Sequence, residues 1–153
     1  MKRNKEKQNE KEIMRIEEYN KIPDRVSIKE LEIMIVDILN KYQNGMIIKE
    51  EFLDIVNILA ERQIFTYEIL NDKIRQKLDD KIKFIWNTEK YDEVDVILSI
   101  VINLGLQGTY EKVKESLKNN KNIDKKILLE IQETVEDNGE DVSNPYRSLE
   151  KFR

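Results

Sequence analysis

Val94 to Leu106, V-D-V-I-L-S-I-V-I-N-L-G-L, is the stretch around which this chain is organised. Nothing else in the sequence is so apolar. Asp95, Ser99 and Asn103 recur at i, i+4 and i+8, so as a helix the segment carries one narrow polar line. Val94, Val96, Ile97, Leu98, Ile100, Val101, Ile102 and Leu104 are then left for neighbours to cover. Read as a strand, the same residues mix Asp95, Ile97, Ser99, Val101 and Asn103 on one face without order. The pattern therefore predicts a buried central helix that ends at Gly105.

Working outward, Ser27-Ile28-Lys29-Glu30 has the form of a capping box, with the serine oxygen taking an orphan amide and the glutamate reaching back to the serine amide. Ile28, Leu31, Met34, Ile35, Ile38, Leu39 and Tyr42 follow at helical spacing, and Asn44-Gly45 supplies a left-handed stop. A second helix is expected from about Ile48, with Phe52, Ile55, Val56 and Leu59 inward, and the short connection makes the pair a hairpin. Thr66 is the expected cap of a third helix carrying Tyr67, Leu70, Ile74, Leu78, Ile82 and Ile85 to Trp86. Asn87-Thr88 breaks it, and Asp92 or a near neighbour starts the central helix. Gly108-Thr109 opens a fifth with Tyr110, Val113 and Leu117 inward. Asp124 caps a sixth with Ile127, Leu128, Ile131 and Val135 inward, stopped by Gly139. The expectation is one all-α domain over residues 23–153, about six helices packed as stacked antiparallel hairpins, HEAT-like or an irregular bundle. A charged leader, expected to be flexible, spans 1–22, and a tail holding Pro145, Tyr146, Leu149 and Phe152 is apolar enough to dock back on the core.

Composition narrows the chemistry. With 153 residues the chain can bury roughly two-thirds of its unfolded surface and needs no disulfide or metal to stand. It has no Cys and no His, which removes thiolate nucleophiles, imidazole bases, disulfides and zinc sites built on those ligands. The longest apolar run falls short of the roughly 20 residues that span a bilayer, and no apolar segment follows the basic start, so a cytoplasmic protein without membrane contact is expected. Lys2, Arg3, Lys5, Lys7 and Lys11 alternate with Glu6, Glu10 and Glu12, the pattern of a solvated arm. A net charge of −4 and a pI near 5.2 argue against nucleic acid as the principal partner, since counterion release needs a concentrated basic face.

Three local resemblances carry expectations. Glu93 to Leu117, E-V-D-V-I-L-S-I-V-I-N-L-G-L-Q-G-T-Y-E-K-V-K-E-S-L, resembles the junction between two HEAT-type repeats, and the next helix stop, Gly139, follows Gly105 by 34 residues. Leu39 to Val56 can be laid on an EF-hand loop, with Gly45, Ile47 and Glu51 in register. Tyr42 and the uncharged Asn40 fall where carboxylate ligands are needed, so no calcium is expected. The N-G-x-I-x-x-E-E-F opening between two helices, on a small acidic all-helical chain, is similar to small immunity proteins of bacterial toxin systems. That resemblance implies a protein that binds a cognate toxin domain and blocks it.

Thirty-one acidic residues guarantee carboxylate pairs on any helix face, so pairs such as Glu50 with Asp54 do not by themselves imply catalysis, and neither an enzyme nor a cofactor is expected. One cluster stands apart: Glu130, Glu133, Glu136, Asp137, Glu140 and Asp141 lie within twelve residues without a Lys or Arg among them. They crowd the C-terminal end of a helix, where the dipole favours cations. Such a patch suits a basic protein partner, with Tyr146 and its neighbours Asn144 and Arg147 as contacts. Trp86 and Tyr91 are either core or, if exposed beside Glu89, Asp92 and Glu93, interface anchors. The expected function is stoichiometric occlusion of a basic toxin domain; the alternative is a HEAT-like adaptor in a phage or cellular assembly.

Overall fold

The computed structural model describes residues 16–19, 21–119 and 121–146. The leader up to residue 15, and Arg147, Leu149 and Phe152 of the tail, lie outside the described residues. The elements are a single turn α1 (Ile16–Tyr19), then α2 (Ile28–Gln43), α3 (Lys49–Ile64), α4 (Asp72–Ile85), α5 (Tyr91–Leu104), α6 (Gln107–Lys118) and α7 (Lys125–Asn138). No strand occurs among the described residues; the fold is all-α.

Local chemistry sets most boundaries. The Ser27 hydroxyl accepts the Glu30 amide at 3.1 Å and donates to the Glu30 carboxylate at 3.0 Å, so the glutamate reaches the serine hydroxyl rather than its amide. Glu51 reaches back to the Ile48 amide at 3.2 Å and closes the start of α3. Asp124 accepts the Lys126 amide at the start of α7. The third long helix departs from expectation: it begins at Asp72, with Asn71 as its cap, and not at Thr66. The Thr66 hydroxyl instead donates to the Gln63 carbonyl and accepts the Glu68 amide, folding Phe65 to Leu70 into a turn in which Tyr67 takes φ 55°. Tyr67 therefore leaves the predicted stripe, while Leu70 still reaches the core from the loop.

The helices form two layers. α2, α4 and α6 lie side by side in one, α3, α5 and α7 in the other, and α2 with α3, α4 with α5 and α6 with α7 pair across them. Within a layer neighbours run parallel. The Asn71 amide before α4 meets Glu32 early in α2 at 2.9 Å, while Lys81 late in α4 lies over the ring of Tyr42 at the end of α2. In the other layer Lys49 pairs with Glu93 at 3.0 Å and Tyr91 bonds Glu130 at 3.2 Å, joining the starts of α3, α5 and α7. Short connections then make each hairpin antiparallel. The hairpin stacking runs through all six long helices.

α5 sits between α3 and α7 with α4 and α6 behind it, which is why Val94, Ile97, Leu98, Ile100, Val101 and Leu104 are buried. Its polar line holds as read: Asp95 is exposed, Ser99 and Asn103 are half-buried and hydrogen-bond each other. Gly105 takes φ 68° and turns the chain into α6.

Beyond α7 the chain returns as a strap over residues 139–146. The Tyr110 hydroxyl donates to the Gly139 carbonyl, Gln107 bonds the Glu140 carbonyl and the Val142 amide, and Arg75 donates to the Ser143 carbonyl at 2.7 Å. The strap ends at Tyr146, whose ring stacks on Tyr67 and whose hydroxyl lies 2.8 Å from the Gln63 carbonyl and 2.7 Å from that of Glu68. It thereby ties the third hairpin to the first. The described part of the tail docks on the body as expected.

Candidate functional site

The layered arrangement separates charge. α3, α5 and α7 together hold eleven acidic residues against four basic ones, whereas α2, α4 and α6 hold ten basic against eight acidic. Because sequence neighbours fall in opposite layers, the split is invisible along the chain. On the acidic layer the exposed positions include Glu50 and Asp54 of α3, Asp92 and Asp95 of α5, and Glu133, Glu136 and Asp137 of α7. Its basic residues are largely spoken for. Lys49 is paired with Glu93, Arg62 turns to Asp24 and the Ile22 carbonyl, and the Lys126 ammonium lies 4.1 Å from the centre of the Tyr91 ring.

Two open clefts interrupt this face. The first, about 440 Å³, is lined by Ile102 of α5, Glu136 and Asp137 of α7, and Gly139 to Val142 and Pro145 of the strap. The second, about 480 Å³, lies at the start of the layer between Glu50, Leu53 and Asp54 of α3, Lys90 just before α5, Tyr91, Asp92, Glu93 and Val96 of α5, and Lys126. The first offers carboxylates around a small apolar floor, the composition that accepts a Lys or Arg side chain, whose aliphatic stem is buried while its head meets acid; the second sets Lys90 and Lys126 beside its carboxylates.

Between the clefts the carboxyl of Glu130 is held above its ordinary range, first by burial and then by its hydrogen-bonding contact with Asp95, with Glu133 adding repulsion and the Tyr91 hydroxyl opposing the rise. Burial and the same Glu130 push the Tyr91 hydroxyl up. At this one position burial and the neighbouring carboxylate together disfavour the charged form.

The residues singled out from sequence scatter unevenly over this surface. Glu136, Asp137, Glu140 and Asp141 come together around the first cleft, and Glu133 is exposed one turn up the same helix. Glu140 and Asp141 also serve the strap: Glu140 pairs with Lys114 at 3.2 Å, and Asp141 accepts the Ser143 amide at 2.7 Å. Tyr91 is half-exposed and lines the second cleft. Tyr146 sits at the far end of the strap with its hydroxyl turned inward, away from the acidic cluster. Trp86 takes the core alternative: it is 6 % exposed and its indole N–H donates to the Ser116 hydroxyl at 3.0 Å, so it packs α4 against α6 and offers no surface. Asp92, Asp95, Glu50 and Asp54 were legible only as ordinary helix carboxylates. Tallying charge over alternate helices would have found them.

The EF-hand positions are otherwise employed. Tyr42 stacks on Phe52 with ring centres 4.5 Å apart, and Glu51 is engaged as the α3 cap. Among the described residues no group of three or more Asp and Glu is arranged to hold a metal ion, and no helix is long and apolar enough to cross a membrane. No protein-family model, curated protein or solved structure matches the chain.

Proposed function

We propose that this is a binding protein of the toxin-immunity kind, which neutralises a basic toxin domain by covering its working surface with the face formed by α3, α5 and α7. The observation that carries the reading is the charge split between the layers, eleven acids against four bases on one side only. A face with a large excess of one sign steers an oppositely charged partner and raises its association rate by roughly 10- to 1,000-fold. The two clefts supply pockets for anchoring side chains, which is where the binding energy of an interface concentrates. Occlusion requires no catalytic group, in keeping with a chain that has neither His nor Cys.

The test is co-expression with the C-terminal domain of whatever protein is encoded beside it, scored by cell survival and by recovery of a one-to-one complex. Survival with a complex supports the reading. Killing that the protein does not relieve, with both chains soluble, removes it.

A further inference from the structure

The strap that follows α7 is fastened to the helices through side chains. Gln107 holds the Glu140 carbonyl and the Val142 amide, Lys114 the Glu140 carbonyl and carboxylate, and Arg75 the Ser143 carbonyl. Among residues 139–146 only Val142 is buried. A segment with so little apolar anchorage opens at a lower free energy than the core it lies on.

Tyr146 fastens the far end, and its seat is imperfectly satisfied. The hydroxyl accepts Gln63 Nε2 at 2.9 Å and faces two carbonyls, that of Gln63 at 2.8 Å and that of Glu68 at 2.7 Å, with a single proton to donate. Whichever carbonyl goes without that proton stands lone pair to lone pair against the hydroxyl oxygen. Gln63 is 1 % exposed and its Oε1 has no hydrogen-bond partner, because the other end of the amide is turned toward the Glu68 carbonyl. Beside it Tyr67, whose ring stacks on that of Tyr146 with centres 5.9 Å apart, is held at φ 55°, where a bulky side chain is strained. Water admitted by an opening supplies the donors this seat lacks.

We propose that residues 139–146 open and close as a unit while the helices stay folded, with Tyr146 as the latch. Opening exposes one valine and one pair of rings, whereas unfolding the body exposes all of α5, so the strap opens far more often. The consequence falls on the first cleft. Gly139 to Val142 and Pro145 form one wall of that 440 Å³ space, and Ile102, Glu136 and Asp137 the other. The cleft is complete only while the latch is shut, so whatever occupies it holds the strap down.

The experiment is native-state hydrogen exchange of the full chain, followed by NMR from zero to about 2 M urea. The Val142 amide, bonded to Gln107 Oε1 at 2.7 Å, reports the strap; the amides of Ile97, Ile100 and Val101 report α5. Relative to its intrinsic rate, Val142 should exchange at least about tenfold faster than the α5 amides. Urea should leave the Val142 rate nearly unchanged while it accelerates α5, because urea sensitivity follows the surface exposed. Tyr146→Phe, which keeps the ring and removes the hydroxyl, should speed Val142 exchange roughly 2- to 10-fold. Tyr146→Ala, which also removes the stack on Tyr67, should speed it about 10- to 100-fold, again without urea dependence. Helical circular dichroism should not change in either variant, since Tyr146 lies outside the helices. Equal urea slopes for Val142 and α5 would make the strap part of one cooperative unit and overturn the proposal, as would a Val142 rate that Tyr146→Ala leaves unchanged.

Discussion

The carboxylate of Asp79, in the middle of α4, closes the N-terminus of α6 by accepting the Thr109 amide at 2.8 Å and the Thr109 hydroxyl at 2.6 Å; its other oxygen accepts the Gly108 amide at 2.8 Å. Leu106 at the cap position has no side chain that could do this, so the helix borrows its cap from a neighbour in the same layer. The pairing also places a full negative charge at the positive end of the α6 dipole. Asp79→Ala leaves the Gly108 and Thr109 amides without their acceptor, while the Thr109 hydroxyl keeps the carbonyl of residue 79 at 3.1 Å. A loss of about 2–4 kcal/mol is expected, or a fall in Tm of roughly 5–15 °C for a chain of this size. Thermal unfolding followed by circular dichroism checks it, and a loss below about 1 kcal/mol would show that water replaces the carboxylate.

The same contact reverses an ordinary rule at Gly108. Glycine to alanine inside a helix stabilises by about 1 kcal/mol. Here a Cβ would stand 2.8 Å from the Asp79 carboxylate oxygen that holds the helix end. Gly108→Ala should therefore destabilise, by roughly 1–2 kcal/mol on the scale of overpacking. In the Asp79→Ala background the clash is gone and the same substitution should become neutral or favourable. A double-mutant cycle in urea reads that change of sign directly.

Gly105 is constrained twice. Its φ of 68° suits glycine, and a Cβ there would meet the carbonyl oxygens of Val142 and Ser143 at 2.8 Å, where the strap crosses. Gly105→Ala should cost about 1–3 kcal/mol and lift the strap. The second effect is separable from the first: limited proteolysis should cut between 139 and 146 before the helices melt. Cleavage elsewhere first would place the weak point outside the strap.

How much of this was legible in the sequence depends on how far apart the interacting residues lie. Ser27 with Glu30, Asp124 with the Lys126 amide, and the glycine stops at 105 and 139 act within a few residues, and the boundaries they mark were readable. Thr66 misled because a threonine bonding an amide two residues on makes a turn as readily as a cap; Asn71 makes the cap with the same geometry. Asp79 with Thr109 joins residues thirty apart, and Tyr146 with Gln63 eighty-three, so neither leaves a local trace. The acidic cluster on α7 was legible as a run. The larger acidic face was not, since α4 and α6, with eight basic residues between them, interrupt it in sequence but not in space.

Glu130 gives the acidic layer a pH dependence whose sign can be stated. Its folded-state carboxyl is raised above 4.5, by burial and by Asp95, so the folded chain binds a proton there more tightly than the unfolded chain. Stability from this group is present at low pH and is lost as pH rises through the unfolded and then the folded value. At neutral pH the pair is a net cost. Asp95→Asn, which keeps a hydrogen-bonding group but removes the charge, should raise Tm at pH 7, with the gain fading as pH falls through the raised folded value of Glu130. A gain independent of pH would mean that packing, and not repulsion, is what the substitution changes.

Steering by the acidic face is best tested away from the residues that hold the strap. Glu140 and Asp141 bond Lys114 and Ser143, so their amides would disturb structure along with charge. Glu133, Glu136 and Asp137 are exposed on α7, and neutralising the three as amides leaves the helix its own backbone bonds. Removing three of the seven excess negative charges on α3, α5 and α7 should slow association with a basic partner by about tenfold at low salt, leaving dissociation nearly unchanged. The slope of the association rate against ionic strength should flatten in step, because surface charges a Debye length apart act only when salt is low. Stopped-flow measurement at about 20 and 200 mM salt separates this from a loss of contact energy, which would appear in dissociation at both. Equal association rates for the two proteins at low salt would show that the acidic face does not guide the partner in.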